Sequence, residues 1–595
     1  MPEYRNPQQE PGGGQSSRMT LVLVATFALI LIGQFVLLKN KAKNPPPKPP
    51  EQQAATQTTP PASEKPAPAQ TETATKPAAT APGTHASNVP RNIAEKEVET
   101  VVENDFYKIV FTNKGAQARS WILKKYKNEQ GGQLDLVNSA AKQYGYPLAL
   151  FTYDDKLRDQ INSALFVPSN AGPINAPGEL TYAYSDGGVT VRKTFHFDDT
   201  YVLHVEVAVT QNGESKAAYP LWPAGFGDMV TGPNYASARV EYESASKVTR
   251  LEAKKVSGDN TLQGPFSWAG VQDQYFAAIF LPDQPSDASL VTLRHEITVD
   301  KDPEHPDPNK KDTYQVLGAA VGNKSGVTRE RFFVGPKAVE VLESVQARLD
   351  NGEPGGPDLR HVVDFGYFSF FARPLFQWLK WTYHNWIHNW GWSIIILTII
   401  INVALLPLRI TAQKSALKMQ KLQPQMKAIQ AKYKNLPMRD PKRQEMNAEV
   451  SALYKREGVN PAGGCLPLLI QLPFLWAFYS MLGNAIELRQ APFLWIHDLS
   501  SPDKLYILPV LIVASTFFMQ RLTPSAGMDP QQQKMMTIMM PAMLGFFSWS
   551  LPSGLSLYWT MGNVIAIIQQ SVMNRTGLGK EIRAEMEKRA RKSSK

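Results

Sequence analysis

One amide lies inside a long apolar stretch, where a polar side chain must have a reason to be. The stretch IIILTIIINVALLPL (Ile394–Leu408) holds Asn402 just past its middle. With Trp390–Ser393 in front of it the stretch reaches about 19 residues, which at 1.5 Å per residue roughly crosses the hydrocarbon core of a bilayer. An amide has two donors and an acceptor, so at that depth it either binds water or hydrogen-bonds to a neighbouring helix.

Residue patterns that support enzyme chemistry are missing from the rest of the sequence. The histidines show no HExxH or comparable ligand spacing, and there is no glycine-rich phosphate loop. His384 and His388 are four residues apart, as metal-binding pairs can be, but no third ligand is near them in the sequence. The single cysteine, Cys465, excludes an internal disulfide and a multi-cysteine metal site. We therefore predict that the chain is not an enzyme and holds no metal or cofactor.

Apolar residues cluster near the start of the 595-residue chain and after residue 390, which predicts a membrane protein with a large polar part. Met19–Leu38 is long for a signal-peptide core and is followed by lysines, so it predicts an uncleaved anchor. Ion-coupled transporters and intramembrane proteases usually need ionisable groups at depth. Both classes are disfavoured because four further predicted spans contain no Asp, Glu, Lys, Arg or His: Cys465–Gly483, Leu505–Gln520, Met535–Ser550 and Gly554–Met573.

Between these regions, from about Val98 to Asn351, apolar residues recur at every second position. In TYVLHVEVAVT (Thr200–Thr210) every second residue from Leu203 to Val209 is apolar, and Gly-rich turns separate such runs. The pattern predicts a large antiparallel β-sandwich, closed by a helix over Lys337–Leu349. The 12 prolines of residues 41–90 predict a tether in front of it.

Loop charges predict the orientation of the chain in a membrane. The loop 409–458 has 12 Lys and Arg against four acids, and the tail from Asn574 has eight against three, in a chain of net charge +10. By the positive-inside rule both face the cytoplasm, so the sandwich faces the opposite compartment and the N-terminus the cytoplasm. Lysines 39, 41 and 43 oppose this orientation, but long domains translocate largely regardless of charge.

The loop 409–458 predicts a helical hairpin of its own. Met419, Leu422 and Met426 recur at helical spacing, and after the break NLPMRDP an apolar stripe continues to Leu453. The methionines either bind varied peptides or form the core of the hairpin. The basic residues either contact RNA or acidic lipid, or only hold the loop on its side of the membrane.

A tryptophan-rich segment precedes the first core span. The segment FQWLKWTYHNWIHNWGW (Phe376–Trp392) follows Pro374 and contains several tryptophans. From Leu375, just before the segment, Leu379, Thr382 and Trp386 follow at helical spacing. Such amphipathic helices lie in the headgroup region of a membrane.

Three motifs closely resemble the YidC/Oxa/Alb family of bacterial membrane protein insertases. They are NPAGGCLPLLIQLPFLWAFYSML (Asn460–Leu482), ELRQAPFLWIHDLS (Glu487–Ser500) and LPSGLSLYW (Leu551–Trp559). The resemblance covers nearly the whole chain and is most specific from Gly391 onward. It implies a periplasmic β-supersandwich without enzymatic activity. It also implies five core helices around a hydrophilic groove, through which nascent membrane proteins enter the bilayer, alone or with the Sec translocon, without nucleotide.

The resemblance also assigns residues to the groove. The family usually has arginine where this chain has Asn402, so a fixed charge is missing at that place while hydration of the groove is still expected. Arg409 lies beyond Pro407, near the cytoplasmic end, and is not expected to replace it. The implied groove residues are Thr398, Asn402, Gln471, Leu475, Tyr558, Trp559, Asn563 and Gln569. Hydrogen bonding between helices is the alternative role for each polar one. The implied contacts of the cytoplasmic hairpin are Met419, Met426, Lys427, Arg439, Lys442 and Arg443.

The predicted fold class is a protein with six transmembrane helices and a large all-β periplasmic domain. Its expected place is the bacterial inner membrane, with several spans and both termini in the cytoplasm. Its expected partners are nascent membrane proteins, the Sec translocon, the ribosome through the basic hairpin and tail, and the lipid bilayer, with no specific DNA. The predicted domains are a cytoplasmic N-terminus (1–18), an anchor (19–38), a Pro-rich tether (39–92), the β-supersandwich (93–351), an interfacial helix (360–388), the five-helix core (390–573) with its hairpin (409–458), and a basic tail (574–595).

Two other functions are compatible with the sequence. A small-solute channel or transporter with a periplasmic binding domain predicts solute flux in liposomes. A carbohydrate-binding or sugar-processing sandwich, merely anchored by the spans, predicts that deletion of Val98–Leu349 abolishes function. An insertase core should largely survive that deletion.

Overall fold

The computed structural model describes residues 90–229, 232–301, 310–433, 442–458, 466–522 and 530–577, with positions 580 and 584. All of them belong to one compact unit, Thr84–Lys595. The predicted anchor (19–38), nearly all of the tether (39–92) and most of the basic tail (574–595) lie outside the described residues.

The polar part of the chain is built mainly of strands. The first twelve are β1 (Glu99–Glu103), β2 (Tyr107–Thr112), β3 (Gln117–Lys127), β4 (Gln133–Asp135), β5 (Leu150–Phe151), β6 (Val167–Pro168), β7 (Ile174–Asn175), β8 (Gly178–Asp186), β9 (Val189–Phe197), β10 (Val202–Gln211), β11 (Glu214–Lys216) and β12 (Tyr219–Trp222). The next ten are β13 (Arg239–Ser244), β14 (Lys247–Glu252), β15 (Asn260–Gln263), β16 (Trp268–Gln272), β17 (Phe276–Pro282), β18 (Ala288–Asp300), β19 (Lys311–Asn323), β20 (Thr328–Pro336), β21 (Gln346–Arg348) and β22 (Pro354–Asp358).

Helices are short in this part and long in the rest. The β domain, residues 93–351, contains α1 (Asp155–Ser163), α2 (Gly232–Ser237) and α3 (Val339–Glu343). The helical half of the chain contains α4 (Ser369–Asn385), α5 (Trp390–Ala404), α6 (Leu406–Lys432), α7 (Lys442–Arg456), α8 (Leu466–Asn484), α9 (Ile507–Leu522), α10 (Pro530–Ser548) and α11 (Ser553–Asn574).

The strands form three large sheets that pack face to face. Their orders are β4-β3-β2-β1-β7, then β14-β13-β16-β17-β20-β10-β9-β8-β6 with β11 beside β10, and β15-β18-β19-β12-β5. Along β10 the alternate residues Leu203 to Val209 are buried, as their spacing predicts. Trp121 on β3 packs edge-on against both Phe332 on β20 and Trp222 on β12, so all three sheets share one core. The predicted β-sandwich is confirmed.

The helix predicted over Lys337–Leu349 is wrong in length. Only α3 is helical, and β21 follows it after two residues. Lys337 is 4% exposed, and its Nζ donates to the carbonyl of Asp273 at 2.8 Å. Its backbone N–H donates to the carbonyl of Tyr275 at 2.8 Å. These bonds hold the first predicted turn against the sheet, so the helix begins later.

The stretch that opens the predicted core is broken into two helices. α5 ends at Ala404, α6 begins at Leu406, and the two are bent by 55°. Pro407 explains the break, because it has no N–H to donate and its ring clashes with the carbonyl four residues earlier. By length and composition, none of the described helices could cross a membrane singly. Only Trp390–Ala404 with Leu406–Ala412 meets that criterion, as a bent pair.

In the described part of the segment predicted as a hairpin, two helices, α6 and α7, run antiparallel. Arg456 donates to Gln425 at 3.2 Å, and Tyr433 donates to Glu449 at 3.0 Å, so the end of α7 meets the middle of α6 and the end of α6 meets the middle of α7. Lys432 pairs with Glu449 at 3.4 Å. These contacts fix the register of the hairpin.

Candidate functional site

Two predicted groove residues lie one turn apart on the buried face of α5. Thr398 is fully buried, and its Oγ1 donates to the carbonyl of Ile394 at 2.7 Å. Asn402 is 2% exposed, and its Nδ2 donates to the carbonyl of Thr398 at 2.7 Å. The Oδ1 of Asn402 is buried too, but it accepts no hydrogen bond from any residue that the structure describes. A buried amide oxygen without a donor is costly, so this atom is free to accept a hydrogen bond from a water molecule or from a bound chain.

The helix α11 packs against α5 and carries the predicted aromatic pair. Tyr558 is buried, and its ring stacks on Phe478 of α8 with centroids 4.0 Å apart. Trp559 is partly exposed. Ser556 lies two residues before Tyr558 on the same helix. Its Oγ is also buried and makes no hydrogen bond with any described residue. Sequence reasoning missed Ser556, although it lies in the LPSGLSLYW motif.

The structure brings Arg409 into this group, which sequence reasoning did not expect. Its Nη1 donates to Oε1 of Gln569 on α11 at 3.3 Å, and its guanidinium lies near Tyr558 of the same helix. The 55° bend before α6 changes the direction of the chain and carries Arg409 toward α11. The signal in the sequence was Pro407, whose effect on helix direction the prediction left out.

The remaining predicted groove residues have different surroundings. The Nδ2 of Asn563 is buried and donates to the hydroxyls of Ser515 and Thr516 on α9, each at 3.0 Å. Asn563 therefore makes the bond between helices that the sequence left as its alternative role. Leu475 is partly buried against the main core, and Gln471 lies in α8 with its side chain outside the described residues. Groove lining by these residues stays a prediction.

In the hairpin, the two predicted methionine contacts are buried. Met419 is 9% and Met426 is 4% exposed, and Tyr454 of α7 donates to the Met426 sulfur at 2.8 Å. Both side chains thus belong to the hairpin core, while Lys427 is exposed. Arg439 lies outside the described residues, as do the side chains of Lys442 and Arg443.

The motif ELRQAPFLWIHDLS joins the helical half to the β domain. Arg489 donates to the carbonyl of Lys127 at 2.8 Å, and Gln490 donates to the carbonyl of Asn128 at 2.9 Å. The guanidinium of Arg489 also lies 5.6 Å from the ring centroid of Phe276, a cation–π contact. These residues therefore anchor the tip of the β3–β4 hairpin.

At the beginning of the motif ELRQAPFLWIHDLS, burial raises the pKa of the Glu487 carboxyl to about 7.

Groups of three or more His, Cys, Asp or Glu side chains that could hold a metal ion do not occur among the described residues.

Known families match both parts of the chain. The family profile described as YidC periplasmic domain matches residues 99–378, and the profile described as 60Kd inner membrane protein matches residues 382–580. A membrane protein insertase YidC of Geobacter sulfurreducens is 35% identical over 484 residues, 79% of this chain and 85% of that protein. One of Cupriavidus pinatubonensis is 34% identical over 477 residues, 75% of this chain and 80% of that protein.

Among solved structures, an active YidC insertase with its first transmembrane domain resolved is similar to this chain. The sequence identity is 19% and the TM-score 0.33, over 82% of this chain and 95% of that chain.

Proposed function

This chain belongs to the YidC family of membrane protein insertases, and we propose that it inserts nascent membrane proteins into the lipid bilayer. It is an inner membrane protein with a periplasmic domain. The observation that supports a polar groove in the helical half is the buried Oδ1 of Asn402, which lacks a donor among the described residues. The proposal needs no cofactor and no bond-making chemistry.

The physics of insertion follows from such a groove. A polar segment that crosses hydrocarbon loses its hydrogen bonds to water, which is a large free-energy barrier. A hydrated notch part of the way through the bilayer shortens the dry path and lowers that barrier. The apolar helix of the client then supplies the driving force, at about 0.3–0.6 kcal/mol for each Leu or Ile at the centre of the span.

Within the groove, polar and charged residues have separate roles. Asn402, Thr398 and Ser556 hold water beside the packed pair of α5 and α11. Arg409 supplies a positive charge near Tyr558, at a different point of the chain from the family's usual arginine. Tyr558 and Trp559 present aromatic surface to the apolar part of a client. Gln471, Leu475 and Gln569 complete the lining of the groove.

The proposed topology has six spans: the anchor 19–38 and five in the core 390–573. The N-terminus, the hairpin 409–458 and the tail 574–595 face the cytoplasm. The ribosome contacts the hairpin and tail, and the Sec translocon receives clients together with this protein. The positive-inside rule supports this orientation, because the hairpin and tail carry most of the excess positive charge.

The proposal is tested by crosslinking. A photoreactive amino acid is placed at Gln471 or Trp559, and ribosomes that carry a short nascent membrane protein are added to membranes containing the variant. Crosslinks to the nascent chain are expected from both positions. The control position is Tyr153, which is 59% exposed on the β domain and should give none. Equal crosslinking from Tyr153, or none from the two groove positions, would exclude the groove as the client path.

A further inference from the structure

A second site lies far from the groove, where the β domain meets the beginning of α4. A surface cavity of about 590 Å³ is enclosed by the tip of the β13–β14 hairpin on one side and by the chain from His361 to Arg373 on the other. Its lining includes Lys247, Arg250, Asp364, Tyr367, Ser369 and Arg373.

The acidic groups at this cavity already have partners. The Oδ2 of Asp364 lies 3.0 Å from Nη1 of Arg239, and the Oε1 of Glu241, behind the cavity, lies 3.1 Å from Nε of Arg250. Asp364 is the one carboxylate of the lining, and its Oδ2 also lies 3.6 Å from Nε of Arg250. The other two basic residues of the lining have no carboxylate within ion-pair distance among the described residues.

Lys247 and Arg373 are those remaining cations. Both side chains are exposed, and neither makes a hydrogen bond or ion pair with another residue in the part of the chain that the structure describes. They line the same cavity from opposite sides, Lys247 on β14 and Arg373 on α4. The cavity lining therefore has an excess of two positive charges. It suits an anion such as a phosphate, which can accept hydrogen bonds from both basic side chains.

The direction of α4 adds to this preference. The helix begins at Ser369, a residue of the cavity lining, and no side chain caps its first turn among the described residues. The first turn also has no acidic side chain. Backbone N–H groups at a helix N-terminus favour a bound anion.

Apolar side chains beside the cations narrow the choice of ligand. Tyr367, in the cavity lining, is fully exposed, and Phe370 is 82% exposed. Trp378 and Trp381 continue the exposed aromatic row along α4, at 53% and 50%. A soluble anion would use only the cations. A ligand with a phosphate and attached hydrocarbon would use both the cations and the aromatic side chains.

We propose that this cavity binds the phosphate headgroup of an anionic membrane lipid. Lys247 and Arg373 contact the phosphate, and Tyr367 and Phe370 lie among the carbon chains next to the headgroup, where aromatic side chains are favoured. The bound lipid fixes the β domain against the membrane surface at the start of α4. This role is separate from client insertion and does not depend on the groove.

The test measures lipid binding to the purified full-length protein in a non-ionic detergent. Four probes are compared: phosphatidylglycerol, phosphatidylcholine, glycerol 3-phosphate and inorganic phosphate, with binding followed by native mass spectrometry. The first variant is Lys247→Gln with Arg373→Gln. The matched control is Lys254→Gln with Lys255→Gln, which removes two exposed charges after β14 and away from the cavity. A third variant, Tyr367→Ser with Phe370→Ser, removes the aromatic contacts.

Phosphatidylglycerol should bind the parent and the Lys254/Lys255 control alike, and more tightly than phosphatidylcholine. The Lys247/Arg373 variant should bind it roughly thirtyfold more weakly, because each basic residue near an anionic surface contributes about fivefold. The aromatic variant should lose lipid binding in part. Equal binding of inorganic phosphate or glycerol 3-phosphate would make the ligand a soluble phosphate and overturn the proposal. The proposal would also be overturned if the Lys247/Arg373 variant and the Lys254/Lys255 control lost phosphatidylglycerol binding equally. Binding of phosphatidylcholine as tight as that of phosphatidylglycerol would overturn it as well.

Discussion

In the proposed groove, Asn402 is a polar side chain that carries no charge. Its amide donates to its own helix and leaves a buried oxygen toward the neighbouring helices. An arginine at a span centre costs roughly 2.5–3.5 kcal/mol on insertion scales, whereas an amide can hold water at lower cost. In this chain the nearby charge comes instead from Arg409, beyond the bend of the helix.

Replacement of Asn402 by leucine should therefore slow insertion of clients with long polar translocated tails and hardly affect clients with very short tails. Asn402→Arg should be tolerated, because the family usually has arginine there. The measurement is client insertion in cells depleted of their own insertase, at matched protein levels.

A suitable control is Asn563→Leu, which removes hydrogen bonds between helices, worth about 0.6 kcal/mol on average, and should lower stability without this dependence on tail length. If Asn402→Leu inserted every client as the parent does, Asn402 would only join helices.

A second residue gives the β domain a dependence on pH. Burial raises the pKa of Glu241 from 4.5 to about 7, despite the opposing effect of Arg250. Between these two values the folded chain keeps a proton that the unfolded chain has lost. The contribution of Glu241 to stability is therefore largest below about pH 4.5 and falls as the pH rises to about 7, by about 3 kcal/mol.

Glu241→Gln should remove this slope. Thermal unfolding of the full-length protein at pH 4.5 and 7.5 measures it, with Glu252→Gln, an exposed carboxylate on the neighbouring strand, as the control. If Glu241→Gln kept the parent's difference in unfolding temperature between the two pH values, other buried acids would be the cause of the pH dependence.

At the scale of elements, the sequence predicts the strands and helices whose buried face follows from the spacing of apolar residues along the chain. The alternation along β10 and the stripe of Met419, Leu422 and Met426 both gave the observed burial, because each element must bury one face. The sequence could not give the path of the chain after Pro407. A proline signals a break, but the direction of the next helix depends on its contacts, here between Arg409 and Gln569. The prediction at Lys337 was wrong for a similar reason, because its partners, the carbonyls of Asp273 and Tyr275, lie in the distant turn between β16 and β17.

The hairpin of α6 and α7 should be needed for insertion but not for membrane residence. Deletion of residues 411–457 removes most of its basic residues and should impair client insertion, while the protein stays in the membrane. Association of the parent with ribosomes should weaken as salt rises, because exposed charges are screened. Association is measured by cosedimentation at increasing salt. Normal insertion by the deletion variant would exclude the hairpin from the mechanism.

At the scale of the whole molecule, the proposed groove residues lie in α5, α6, α8 and α11, and a loop that follows α8 contacts the β domain. The contacts of Arg489 and Gln490 with the β3–β4 hairpin join the two parts. The sequence motif ELRQ was visible in advance, but its partners, the carbonyls of Lys127 and Asn128, were not, because backbone acceptors have no signature in a sequence.

Deletion of residues 98–349 should therefore leave most client insertion intact. The measurement is growth and client insertion in depleted cells, with Arg489→Gln in the full chain as a milder variant that weakens only the junction. Complete loss of insertion by the deletion variant, at normal protein level in the membrane, would assign the activity to the β domain.

The bend before α6 has a mechanical consequence. From that bend α6 continues as one helix of 27 residues, about 40 Å long, with Pro424 inside it. Arg409 lies in the first turn of α6, so the hairpin proposed to contact the ribosome and the guanidinium near Tyr558 belong to one helix. In the proposed mechanism, a force that a ribosome applies to the hairpin would be transmitted along α6 to Arg409, and Pro407 would be the pivot.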